Sequence, residues 1–134
     1  MDNRKTNEEY TRIGNQLIKY EPVLDYINQS EVTIAFLESD HKKTAQGKVT
    51  MGQCEKIANK YKWGIPCDFT ITLFTPNIEG LTDDQIKVLL LHELLHVGIT
   101  YAEGKEVYSI KPHDLEDFKY IIDNYGTDWS ARHE

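Results

Sequence analysis

His92, Glu93 and His96 stand in the order His-Glu-x-x-His within Leu90-Leu91-His92-Glu93-Leu94-Leu95-His96. Residues four apart on a helix share a face one turn apart, so two imidazoles in this spacing can close on one tetrahedral zinc ion. Glu93, adjacent to the first histidine, can reach a water on that ion without entering its coordination shell. A bound divalent ion lowers the pKa of such a water from about 16 to about 7, and a carboxylate can take its proton as the water attacks a polarised carbonyl. The spacing therefore predicts a hydrolytic site with His92 and His96 as zinc ligands and Glu93 as general base.

The setting strengthens this reading. From Ile86 to Ile99 the residues are apolar nearly all round, which predicts a buried central helix interrupted only by His92, Glu93 and His96. An unpaired charge buried in such a helix costs several kcal/mol unless it is neutralised, paired or bound to metal. A catalytic zinc keeps three protein ligands and leaves the fourth position open. The third is expected downstream. His113 is the first candidate, because Lys111-Pro112 breaks the chain and Asp114 to Tyr125 then reads as a helix with Leu115, Phe118, Ile121 and Ile122 on one face. Glu103, Glu106, Glu116 and Asp117 are rivals, since an acid can complete a two-histidine site. Asp114 and Asp117 could orient a ligand imidazole, and Tyr101 or Tyr108 could donate to a developing oxyanion. His41 reads as solvent-exposed and His133 as part of a frayed tail.

The elements that must position these groups follow from the pattern. Thr82-Asp83-Asp84-Gln85 matches a capping box at the start of the central helix, and its two aspartates suit the positive helix end. Apolar residues recur with helical spacing from about Asn7 to Ile27, with Pro22 expected to kink or divide the helix. Alternation predicts strands over Glu31 to Leu37 and Asp68 to Phe74, and a strand with a following turn within Val49 to Ala58. Ser39 to Lys48, polar and containing Gly47, reads as a loop or mobile hairpin tip, and Lys62-Trp63-Gly64-Ile65-Pro66 as a turn. The chain is expected to be a single domain over residues 1–134, with 1–6 and 130–134 as frayed tails.

Composition narrows the function classes. Fifteen Lys and Arg against 22 Asp and Glu give a formal charge of -7, which offers no general footprint for nucleic acid or anionic membrane. No apolar run approaches the roughly 18 residues of a membrane span, and a polar stretch follows Met1 where a signal peptide would be apolar. A cytoplasmic protein is expected, and Cys54 and Cys67 are expected to be free thiols.

Leu90-Leu91-His92-Glu93-Leu94-Leu95-His96, followed by His113-Asp114-Leu115-Glu116-Asp117-Phe118 and by Tyr125-Gly126 with Trp129, resembles the phage-type metallopeptidases. More distantly it is similar to the SprT-like and Spartan-like zinc proteases. There the third histidine is commonly followed by Gly, where this chain has Asp114, which weakens transfer of a DNA-linked role. The resemblance implies an α+β, zincin-like fold: a small antiparallel or mixed sheet against an N-terminal helix and the central HExxH helix, with a later helix delivering the third ligand. It implies His92, His96 and His113 as ligands of one zinc per chain, Glu93 as catalytic acid/base, a phage origin and so a host-cytoplasmic location, and a peptide or protein substrate. The strand before the zinc helix, Asp68 to Phe74, is expected to line the cleft and offer its edge to that substrate. The competing functions are a non-catalytic zinc-stabilised protein-binding module and a zinc amidase acting on a non-protein amide.

Overall fold

The computed structural model describes residues 3–45, 47–61 and 63–112. His113 and everything after it, including Asp114, Glu116, Asp117, Trp129 and His133, lie outside the described residues, and with them the expected C-terminal helix. Among the described residues the fold is α+β: three α-helices, a mixed four-stranded sheet and two small two-stranded ladders.

The N-terminal helix is divided at the proline, as its ring requires. Helix α1 spans Glu8–Tyr20, capped by the Asn7 side chain on the Tyr10 N–H, and a 3-10 turn at Pro22–Leu24 leads into the short α2, Asp25–Asn28. Arg4–Thr6, expected as part of a frayed tail, instead forms β1. It is antiparallel to β2, Ile34–Ser39, with Arg4 opposite Ser39 and Thr6 opposite Leu37. The polar stretch after β2 forms a two-residue ladder, β3 (Thr44–Ala45) with β4 (Lys48–Val49), turning at Gly47 with φ of 76°. Its base is tied down by buried Asn77, whose amide donates to the carbonyls of Lys43 (3.0 Å) and Thr50 (2.8 Å).

Strand β5, Gly52–Lys56, precedes a 3-10 turn at Asn59–Tyr61, and β6, Phe69–Phe74, follows. The sheet order is β1-β2-β6-β5, with β2 and β6 parallel and the outer pairs antiparallel. All six residues of β6 are buried. Phe69, Ile71 and Leu73 join the core with Phe36, Leu17 and the apolar side of the central helix. On the opposite face, Phe74 lies beneath the Arg4 guanidinium and the Lys43 ammonium, 5.7 and 5.5 Å from its ring centroid, and Arg4 reaches on to Glu55 at 2.5 Å. Long charged side chains thus cover that face with their stems.

The place of β6 corrects one expectation. The strand before the central helix has no edge to offer, because it is hydrogen-bonded to β2 on one side and β5 on the other. Among the described residues the open edge on this side of the sheet belongs to β5.

The central helix α3, Asp83–Leu94, starts with the full capping box: the Gln85 N–H donates to the Thr82 hydroxyl and the Thr82 N–H to the Gln85 side chain. It is shorter than the apolar run suggests. Leu95 closes on Leu91, the His96 N–H donates to the Glu93 carbonyl at 3.1 Å, and the chain then enters β7, Val97–Ala102, paired with β8, Lys105–Ile110. The expected helix to Ile99 and the plain connection from Tyr101 to Pro112 are therefore a helix end and a hairpin. Val97-Gly98-Ile99 is too short an apolar run for periodicity to separate helix from strand. Glu103 and Gly104 take φ of 53° and 78°, the two positive values a type I′ hairpin turn demands. Gly98 is needed because a Cβ there would stand 2.5 Å from the Ser109 hydroxyl. Among the described residues no helix is long and apolar enough to cross a membrane.

Candidate active site

His92 lies in the last turn of α3 and His96 just past its end. Their rings meet edge to face, with centroids 5.2 Å apart and planes at 80°. Both are half-buried, whereas Glu93 between them is buried, with 6% of its surface exposed. The helix therefore turns Glu93 toward the sheet and leaves the imidazoles at the rim.

Glu93 is seated against β5. A Cβ added to Gly52 would stand 3.2 Å from its Oε2 and 3.3 Å from its Cγ, so the strand approaches the carboxylate where it carries no side chain. No hydrogen bond reaches that carboxylate among the described residues, and burial pushes its pKa up to about 7. A carboxyl in that range is suited to exchange protons at neutral pH. Two residues along the same face of β5, the Cys54 thiol is pushed up to about 12, first by burial and then by the carboxylates of Glu93 and Glu55. It stays protonated, and neither Cys54 nor Cys67 forms a disulfide among the described residues.

His96 is oriented by the main chain. Its Nδ1 lies 2.8 Å from the Lys111 carbonyl oxygen, and the Lys111 N–H donates to the His96 carbonyl at 2.6 Å. A carbonyl only accepts, so Nδ1 carries the proton, which in the neutral ring puts the lone pair on Nε2, the usual tautomer of a ligand histidine. Two neighbouring nitrogen donors, one with its tautomer set, beside a buried carboxylate suit zinc or a related divalent ion.

Of the expected site residues, the fold brings together His92, Glu93 and His96. Among the described residues no group of three or more His, Cys, Asp or Glu side chains is placed to hold a metal ion. Glu103 sits in the hairpin turn. Glu106 accepts from the Glu31 N–H at 3.1 Å and from the Tyr108 hydroxyl at 2.6 Å, which directs both side chains to that end of the hairpin. Tyr101 is exposed on β7. The remaining candidates, His113, Glu116 and Asp117, lie outside the described residues. Sequence reasoning missed two contributors. The Lys111 carbonyl has no side-chain signature, whereas Gly52, a lone glycine in a strand pattern, marks a close approach that could have been suspected.

The chain matches no curated protein and no solved structure, but it matches a family model over residues 3–134, nearly its whole length. That family is described as "putative phage metallopeptidase", a description that implies a metal ion and peptide-bond hydrolysis. With a match of this extent and the His-Glu-x-x-His residues gathered at one helix end, the chain belongs to the putative phage metallopeptidase family.

Proposed function

We propose that this chain is a zinc-dependent, zincin-like peptidase in which His92, His96 and His113 hold one zinc ion, Glu93 is the general base and a polypeptide substrate lies along β5. The observation that carries this reading is the buried Glu93 carboxylate, raised to about 7, on the helix end whose rim carries the paired imidazoles of His92 and His96. A site serving only to hold a fold together has no use for such a group, and prefers four closed ligands.

Covalent geometry supports His113. The Lys111 main chain is paired at both N–H and carbonyl to His96, and two further residues span at most about 7 Å. Bound zinc supplies a Lewis acid that polarises the substrate carbonyl and acidifies water. Glu93 takes the proton of the attacking water on a carboxylate oxygen and delivers it to the leaving amine nitrogen, while the new C–O bond replaces the C–N bond. His96 keeps its proton on Nδ1, donated to the Lys111 carbonyl, throughout.

The β5 edge favours a polypeptide over a non-protein amide. The Ile57 N–H donates to the Asp68 carbonyl and the Phe74 N–H to the Met51 carbonyl, so in the alternating antiparallel ladder the main-chain groups of Gly52, Cys54 and Lys56 point away from β6. An extended peptide pairing there would begin at Gly52, beside Glu93.

Elemental analysis with peptidase assays tests the reading. The expected result is about one zinc per chain, lost or weakened in His92→Ala and His113→Ala. Glu93→Gln should keep the zinc and lose activity by about 100-fold or more. A fully active Glu93→Gln variant would overturn the mechanism, and zinc binding untouched by His113→Ala would move the third ligand to Glu116 or Asp117.

A further inference from the structure

The base of the β7–β8 hairpin is held by an aromatic residue of another element, a contact that the His-Glu-x-x-His motif does not explain. With a two-residue turn at Glu103-Gly104, hydrogen-bonded pairs alternate along the ladder from Ala102/Lys105 through Gly98/Ser109, and the next such pair is His96/Lys111. One of its two bonds is present, from the Lys111 N–H to the His96 carbonyl at 2.6 Å. The other donor is missing from the ladder, because the His96 N–H closes the helix end on Glu93. The imidazole Nδ1 takes its place on the Lys111 carbonyl.

Val97/Ile110 is the intervening pair, of the kind whose main-chain groups point out of the ladder. Val97 is fully buried, so its outward carbonyl needs a donor. Tyr26, on α2, supplies it: its hydroxyl donates to that carbonyl at 2.6 Å. Over the same ring stands the Lys111 ammonium, 5.6 Å from the centroid. One side chain from a separate element thus holds the residue that follows His96 and the residue whose carbonyl orients its ring.

We infer that Tyr26 is a positioning residue for the metal ligand His96: through Val97 and Lys111 it fixes the direction of the Nε2 lone pair, and so the affinity of the site for zinc. The inference rests on the metal reading above and assigns Tyr26 no contact with substrate. Phe at this position keeps the ring under Lys111 and removes only the hydroxyl.

Zinc dissociation constants measured by competition with a chromophoric chelator at neutral pH, for the wild type, Tyr26→Phe and Lys111→Met, test this directly, with urea unfolding of the zinc-free forms alongside. Tyr26→Phe is expected to bind zinc about tenfold or more weakly, as losses of outer-sphere partners do, and to shift the visible bands of the cobalt-substituted protein. Lys111→Met is expected to weaken binding about two- to fivefold. A purely structural Tyr26 would lower the zinc-free unfolding midpoint while leaving zinc affinity within twofold of wild type, and that result overturns the inference. If Tyr26→Phe does not fold, unchanged zinc affinity in Lys111→Met overturns it. A wild type that binds no zinc overturns the metal reading itself, and this inference with it.

Discussion

Burial of the Glu93 carboxyl carries a cost that depends on pH. Its ordinary carboxyl pKa of 4.5 applies to the unfolded chain and about 7 to the folded, metal-free protein. Between those values the folded state binds more protons than the unfolded, so stability is highest below about pH 4.5, falls as pH rises to about 7, and is level above it as far as this group is concerned. The difference amounts to about 3 kcal/mol, from about 1.4 kcal/mol per pKa unit. Glu93→Gln should remove this slope, leaving the zinc-free variant more stable than wild type at neutral pH; urea titrations with chelator at acid and neutral pH check it, and equal slopes in the two proteins would contradict the burial argument. Gly52→Ala probes the same carboxylate from the strand. The new Cβ would meet Leu73 Cδ2 at 3.0 Å and Glu93 Oε2 at 3.2 Å, so one of them must yield. If Glu93 moves, kcat should fall about tenfold or more with zinc content unchanged, since small misplacements of a reacting group are costly.

The elements differ in how openly the sequence announces them. The start of α3 was legible down to the reciprocal bonds of Thr82 and Gln85, because a capping box is a local device whose partners lie three residues apart. Its end was not. His96 leaves the helix because the following residues pair with Lys105–Ile110, a contact between segments that no local pattern contains. The same limit hid which strand is open: alternation identifies Phe69–Phe74 as a strand, but its neighbours on both sides are set by long-range pairing. Helix α1 shows a tertiary demand overriding propensity. Alanine suits a helix better than glycine by about 1 kcal/mol, yet a Cβ at Gly14 would lie 2.3 Å from the Phe36 ring. Gly14→Ala should therefore destabilise by about 1–3 kcal/mol through overpacking, read as a lowered thermal midpoint. An unchanged or raised midpoint would mean that α1 can draw back from the sheet freely.

At the scale of the molecule, the proposed zinc site would link metal binding to the fold. Zinc bound only by the folded chain stabilises it by about 2.7 kcal/mol at a free concentration 100 times its dissociation constant, so chelation should lower the thermal midpoint and abolish peptidase activity together, and re-addition of zinc should restore both. A midpoint indifferent to chelator would place the metal outside the folded site. The sequence by itself determined the N-terminal helix with its break at Pro22, the main strands, the helix carrying His92 and Glu93, and the residue types a metal requires, because capping, periodicity and i,i+4 spacing are local and covalent facts. Tertiary structure alone decided the burial that lifts the Glu93 carboxyl, the Gly52 backbone beneath it, the Lys111 carbonyl that sets the His96 tautomer, and the β5 edge in place of β6. Each of these depends on which distant segments share a surface, and that is settled by the packing of the whole core.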